Sequence, residues 1–194
     1  MTYFQHKFIK CNHSRTGGRL LRYRDKMIKL FLNIILFQIG WLVCVLGGNC
    51  YAIIYTAFAL LLHHLFVLQS NAEWRLIIGA ALIGCAWDAL ITYAGISTYT
   101  HSDALGLPIW LMCLWLLFAS TLSHSLAWLH SRLRLASLLA AIFGPASYWA
   151  GARLDKVQLI EPTWLTLSIM ALGWAILLPS IFKYIGRANR KYIH

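Results

Sequence analysis

Charge is scarce in this chain. Only 12% of its 194 residues are Asp, Glu, Lys or Arg, where soluble domains carry about 25%. Hydrophobic residues reach 60%, above the roughly 45–50% of a soluble domain. An ordinary soluble globular fold is thereby excluded. Acid is scarcer still: 6 Asp and Glu face 17 Lys and Arg, a formal net charge of +11. The basic residues sit at the ends and in short connections, not on an amphipathic face or among stacking aromatics. That distribution argues against a nucleic-acid partner.

Ordered cysteine spacing is also missing. Cys11, Cys44, Cys50, Cys85 and Cys113 form no CxxC or CxxH pair. An odd, unspaced set argues against a disulfide framework or a zinc site, and four of the five lie in or beside apolar segments, where cysteine mostly packs. Residues 1–29 lack the apolar core and small-residue cleavage site of a signal peptide. No tandem repeat, low-complexity segment or linker follows them.

Long apolar runs are what the chain has in quantity. Six stand out: Leu30–Gly47, Cys50–Leu68, Leu76–Ile96, Pro108–His130, Leu135–Ala150 and Trp164–Phe182. Most approach the roughly 20 residues that cross a hydrocarbon core of about 30 Å; the fifth is short and interrupted by Gly144–Pro145. The expected fold is all-α, a polytopic membrane bundle of six transmembrane helices. It divides into a basic N-terminal tail (1–29), a transmembrane domain (30–182) and a basic C-terminal tail (183–194). With the N-terminus inside, 15 of the 17 Lys and Arg lie on the cytoplasmic side, and only Arg153 and Lys156 lie outside. The positive-inside rule then puts both termini in the cytoplasm. Met27 stands just before the first run, so translation from Met27 and a basic tail from Met1 are both compatible with the sequence.

Helices in lipid associate through small residues and shared polar groups. Such residues form stripes: Asn33, Phe37, Gly40, Cys44 and Gly47 in the first run, and Ala80, Gly84, Asp88, Thr92 and Gly95 in the third. The fourth run has Cys113, Ser120, His124, Ala127 and Ser131. The fifth has Ala140, Gly144, Ser147 and Gly151. Asp88 therefore faces other helices. At 1.5 Å per residue, Gln38 lies roughly 12 Å from the cytoplasmic end, Asp88 roughly 18 Å and Tyr148 roughly 20 Å. A mid-membrane layer of Gln38, Asp88, Thr92 and Tyr148 is expected, with Asp88 facing Gln38 and the Ser147–Tyr148 region. A shallower layer holds Asn33, His63 or His64, Ser120 and His124.

An acid at mid-depth costs about 2.5–3.5 kcal/mol to insert, and no Lys or Arg lies in any span to pair with Asp88. It is either a hydrogen-bonded joint between helices or a proton- or substrate-binding carboxyl. His63 and His64 point about 100° apart on a helix, so the two do not easily serve one ion. The sequence assigns no metal and no cofactor. Ser120–Ser125, "STLSHS", sets hydroxyls beside His124, but there is no GxSxG elbow and helical serines bond their own backbone. "FGPASYWAG", Phe143–Gly151, is read either as a broken helix or as a plain kink, because Pro145 removes a backbone hydrogen bond. Trp41, Trp87, Trp115 and Trp149 are placed to wall an apolar pocket.

Four stretches carry a resemblance: "NIILFQIGWLVCVLGG", "WDALITYAG", "PIWLMCLWLLFASTLSHSLAWL" and "FGPASYWAG". Together they resemble the Domain of Unknown Function 2878 family and cover most of the chain from Met27 on. The resemblance implies a bacterial inner-membrane protein, typically Gram-negative, whose members begin near Met27. It implies no activity. The leading functional expectation is a small-molecule or lipid-handling carrier or accessory subunit. Its substrate-binding residues would be Asp88, Gln38, Tyr148, His124, Trp41 and Trp87. One rival is a lipid-modifying enzyme with Asp88, His124 and Tyr148 as acid–base groups. The other is a structural partner of another membrane protein.

Overall fold

The computed structural model describes the backbone of residues 3–100 and 106–191, and the side chains of residues 24–100 and 106–187. The fold is all-α, with one small strand pair. Helix α1, Tyr3–Leu62, is broken at Gly48 (φ 73°), a left-handed geometry that favours glycine. The break folds the helix into two antiparallel arms: the Tyr55 hydroxyl donates to the Leu36 carbonyl at 2.9 Å. A π-helical turn, His63–Val67, closes the second arm. Then come α2 (Glu73–Tyr93), β1 (Ser97–Tyr99), α3 (Ile109–Leu122), α4 (Leu133–Arg153), β2 (Val157–Leu159) and α5 (Thr163–Lys191).

Four helical stretches are long and apolar enough to cross a membrane: Arg24–Val67, Glu73–Tyr93, Leu133–Arg153 and Thr163–Arg187. Many large apolar side chains on them face outward, among them Ile35, Leu46, Ile54, Leu82, Phe143, Leu172 and Ile176. Apolar faces this extensive are unsuited to water and match lipid. Buried residues follow the small stripes instead. The second arm of α1 buries Ala52, Thr56, Ala59, His63 and Val67, spaced by three and four, which is one helix face.

One expectation is corrected and one alternative is decided. Pro108–His130 does not form one long helix: α3 has 14 residues and ends at Leu122. Asn33 Nδ2 donates to the Ser120 carbonyl at 3.2 Å, so that carbonyl no longer receives the N–H of residue 124. The His124 N–H turns to Thr121 instead. Ser125 Oγ locks the turn by donating to Asn33 Oδ1 at 2.7 Å. Residues Phe143–Gly151 do not break a helix either: α4 runs through Pro145. One backbone bond is lost there, yet the helix continues, with α4 packed along α5.

The connections gather at two ends. At one, Asn49 Oδ1 accepts the Trp110 N–H at 3.1 Å, tying the Gly48 break to the start of α3. There too β1 and β2 pair antiparallel, Tyr99 opposite Val157. Nearby, Glu161 accepts from the Thr163 N–H and hydroxyl at 2.7 Å each, and these bonds hold its carboxyl below the usual carboxylate range. At the other end the π turn, the start of α2 and the turn after α3 meet through His63, Glu73 and His124.

Helix α3 is the centre, with α1 and α2 packed on it; α4 and α5 pair with each other. Helices α1 and α4 make no extended contact among the described residues. A gap opens there.

Candidate functional site

The gap is a cavity of about 700 Å³. Its walls are the first arm of α1, α3 with the turn after it, and α4, with Trp174 and Leu178 of α5 behind. Ile34, Gln38 and Phe143 line it and are also exposed. Its mouth therefore lies on the side of the bundle, between α1 and α4. Most of the lining is aliphatic or aromatic, and among the described residues Asp88 is the one acid in it.

Asp88 is 1% exposed and lies in the last two turns of α2. Three groups donate to its carboxylate. The Tyr99 hydroxyl reaches Oδ1 at 2.8 Å, the Tyr148 hydroxyl reaches Oδ1 at 2.5 Å, and Trp115 Nε1 reaches Oδ2 at 2.5 Å. An indole N–H can only donate, so Oδ2 must accept. The partners come from β1, α4 and α3. Strand alternation explains Tyr99: Ser97 and Tyr99 point inward and Thr98 outward. Tyr148 gives α4 a hydrogen bond to α2, one of the links from the α4–α5 pair to the rest of the bundle.

Two indoles support this carboxylate. Trp115 of α3 stacks on Trp174 of α5, centroids 5.4 Å apart and planes 9° apart. Each is seated on a glycine: a Cβ at Gly84 would collide with Trp115, and one at Gly144 with Trp174. The small stripes of α2 and α4 are thus seats for aromatic rings.

The structure distributes the sequence-derived candidates as follows. Asp88 and Tyr148 are hydrogen-bonded to each other. Trp41 and Gln38 line the same cavity. Gln38, however, sits at the exposed mouth, and among the described residues no hydrogen bond joins it to Asp88. Trp87 is not among the cavity's lining residues and lies over Gly173 of α5. His124 is separate too, its Nε2 2.5 Å from Glu73 Oε1. Tyr99 covers Asp88 from the strand pair, and the acid sits towards that end of α2. Ser120 and Ser125 bond backbone and Asn33, not His124.

Sequence reasoning missed Tyr99, Trp115, Trp174 and Glu73 as site partners. Tyr99 lies between the third and fourth apolar runs, outside every expected helix. Trp115 lay among the candidate pocket walls, but nothing in its spacing announced a bond to Asp88.

No curated protein and no solved structure matches the chain. Residues 30–180 match a family described as protein of unknown function, DUF2878, and with that match spanning the whole helical core, cavity and acid included, the chain belongs to this family.

Proposed function

We propose that this chain is an integral protein of a bacterial inner membrane. It crosses the bilayer six times with both termini in the cytoplasm. Its cavity holds an amphiphilic molecule, a lipid or small apolar compound, whose polar or cationic group is directed at Asp88. On this reading it is a carrier or an accessory subunit.

The observation that carries the reading is the side opening of the cavity between α1 and α4. A bilayer-dissolved molecule enters there without crossing a helix. The size suits it: about 700 Å³ lies within the roughly 300–1,000 Å³ of small-molecule sites. Apolar walls with one fixed polar group favour an apolar body with one polar end. Six crossings are supported by the antiparallel arms of α1 and by connections that alternate between two ends. Helix α3 alone, at about 21 Å, is short of the core thickness, and the turn after it makes up the difference. The enzyme reading is less favoured, because His124 is paired with Glu73 and stands apart from Asp88 and Tyr148.

Mass spectrometry of the protein purified in mild detergent tests the binding. A defined lipid or small molecule is expected at near-stoichiometric amount. Ala146→Trp, which fills the exposed lining, is expected to reduce it at least tenfold. Asp88→Asn is expected to weaken retention while leaving the fold intact. Equal retention by all three proteins would refute the site.

Topology is checked with a reporter active only in the periplasm. Fusion after Lys156 is expected to be active, and fusion after His194 inactive. Strong activity after His194 would remove the six-span arrangement.

A further inference from the structure

We propose that His63, Glu73 and His124 form a binding site for a divalent transition-metal ion, with zinc the best match. The site is at the end of the bundle opposite the strand pair and does not depend on what the Asp88 cavity holds.

One ring nitrogen of each histidine and a carboxylate oxygen of Glu73 lie within 4.8 Å of one another. They come from three elements: the π turn ending the second arm of α1, the first turn of α2, and the turn after α3. His124 Nε2 is 2.5 Å from Glu73 Oε1, and His63 Nε2 is 3.5 Å from the same oxygen. The histidine rings stand 5.1 Å apart at 73°. Two imidazoles and one carboxylate are the donor set of a common class of three-ligand zinc sites. Tetrahedral zinc bonds of 2.0–2.1 Å place donors about 3.3 Å apart. The His63–Glu73 separation already fits, and a small rotation of His124 opens the shorter one.

His63 supplies the second observation. It is 2% exposed, yet neither ring nitrogen has a hydrogen-bond partner. Buried polar atoms are nearly always satisfied, and orphaning one costs about 1–3 kcal/mol. A metal ion satisfies one of these nitrogens. A Glu73–His124 hydrogen bond explains those two residues, while His63 has only the 3.5 Å approach of Nε2 to Glu73 and no partner at Nδ1.

The surroundings hold the donors in place. Gln69 N–H donates to Glu73 Oε2 at 3.4 Å, leaving Oε1 for the histidines. Trp74 stands edge-on to His63, centroids 6.4 Å apart. The π turn matters as well: such turns cluster at functional sites. Here it buries His63 while its neighbour His64 stays exposed. The sequence set aside His63 and His64 as ligands of a single ion; the fold pairs His63 with His124 instead. Three protein donors leave a fourth position open to water or another ligand.

The test uses the full chain in detergent, without a polyhistidine tag, stripped by chelator and then given Zn²⁺ or Co²⁺ alone. About one zinc per chain is expected, and the cobalt form should show the intense visible absorption of four-coordinate Co²⁺. His63→Ala, His124→Ala and Glu73→Gln should each lower affinity at least tenfold. His64→Ala should leave it unchanged. Absence of the cobalt absorption in the parent protein overturns the site, whatever the variants do. So does undiminished binding in the variants, or an equal loss in His64→Ala.

Discussion

Asp88→Leu is expected to destabilise the protein by about 3 kcal/mol or more. Leucine removes the one acceptor shared by Tyr99, Trp115 and Tyr148. Each buried donor left without a partner costs about 1–3 kcal/mol, and the lower figure is appropriate where an unfolded chain in lipid also finds partners. The loss falls on the link between α2 and α4, so the α4–α5 pair should loosen from α3. Tryptophan fluorescence during thermal unfolding in detergent measures this. The near-UV circular dichroism of the Trp115–Trp174 stack should fall with it. Asp88→Asn should behave differently. Its amide oxygen can still accept from Trp115 while its Nδ2 donates to the tyrosine oxygens, but the two hydroxyl protons lose this acceptor, so a loss of about 2 kcal/mol, smaller than for leucine, is expected with the fold retained. Adding Tyr148→Phe to Asp88→Leu should cost less than the sum of the two single changes, because they share one network. A leucine variant as stable as the parent would show that the three bonds hold nothing together.

The second large effect is expected from methyl groups placed under the indoles. Gly84→Ala puts a Cβ into the Trp115 ring, and Gly144→Ala puts one into Trp174. The obstacle in each case is a rigid ring in the 5.4 Å stack, not the far end of a flexible chain. Overpacking of this kind costs about 1–3 kcal/mol, and each change should lower the melting temperature by several degrees. Gly84→Ala should also weaken ligand retention, since moving Trp115 withdraws a donor from Asp88. Gly186→Ala is the control. An added Cβ there meets nothing within 4 Å, and alanine is the better helix former by up to about 1 kcal/mol. Gly186→Ala should therefore be neutral or slightly stabilising. If Gly84→Ala matched it, the glycine seats would have no packing role.

By itself the sequence determined the helical content and the presence of helices apolar enough to cross a membrane. Scarce charge and long apolar runs require a chain whose backbone bonds itself in lipid, and helices do that locally. The small stripes also marked the packing faces, because a periodic pattern records which side of a helix is inward. They located Gly84, Asp88 and Gly144 on those faces, although not what occupies them. Family membership was legible for the same reason: it rests on runs of residues along the chain.

What only the tertiary structure decided is where segments distant in sequence meet. Asn33 ends α3 from 87 residues away by taking the Ser120 carbonyl, so the length of α3 was not written in α3. Tyr99 becomes a partner of Asp88 because β1 pairs with β2, across 60 residues at Thr98 and Gln158. Three-residue strands are too short to show a period. Glu73 joins His63 and His124 only when three connections meet at one end of the bundle. The cavity exists because α1 and α4 stay apart, and a gap between helices leaves no pattern in either one. Local chemistry sets each helix and its inward face; the choice of neighbour depends on packing summed over the whole bundle.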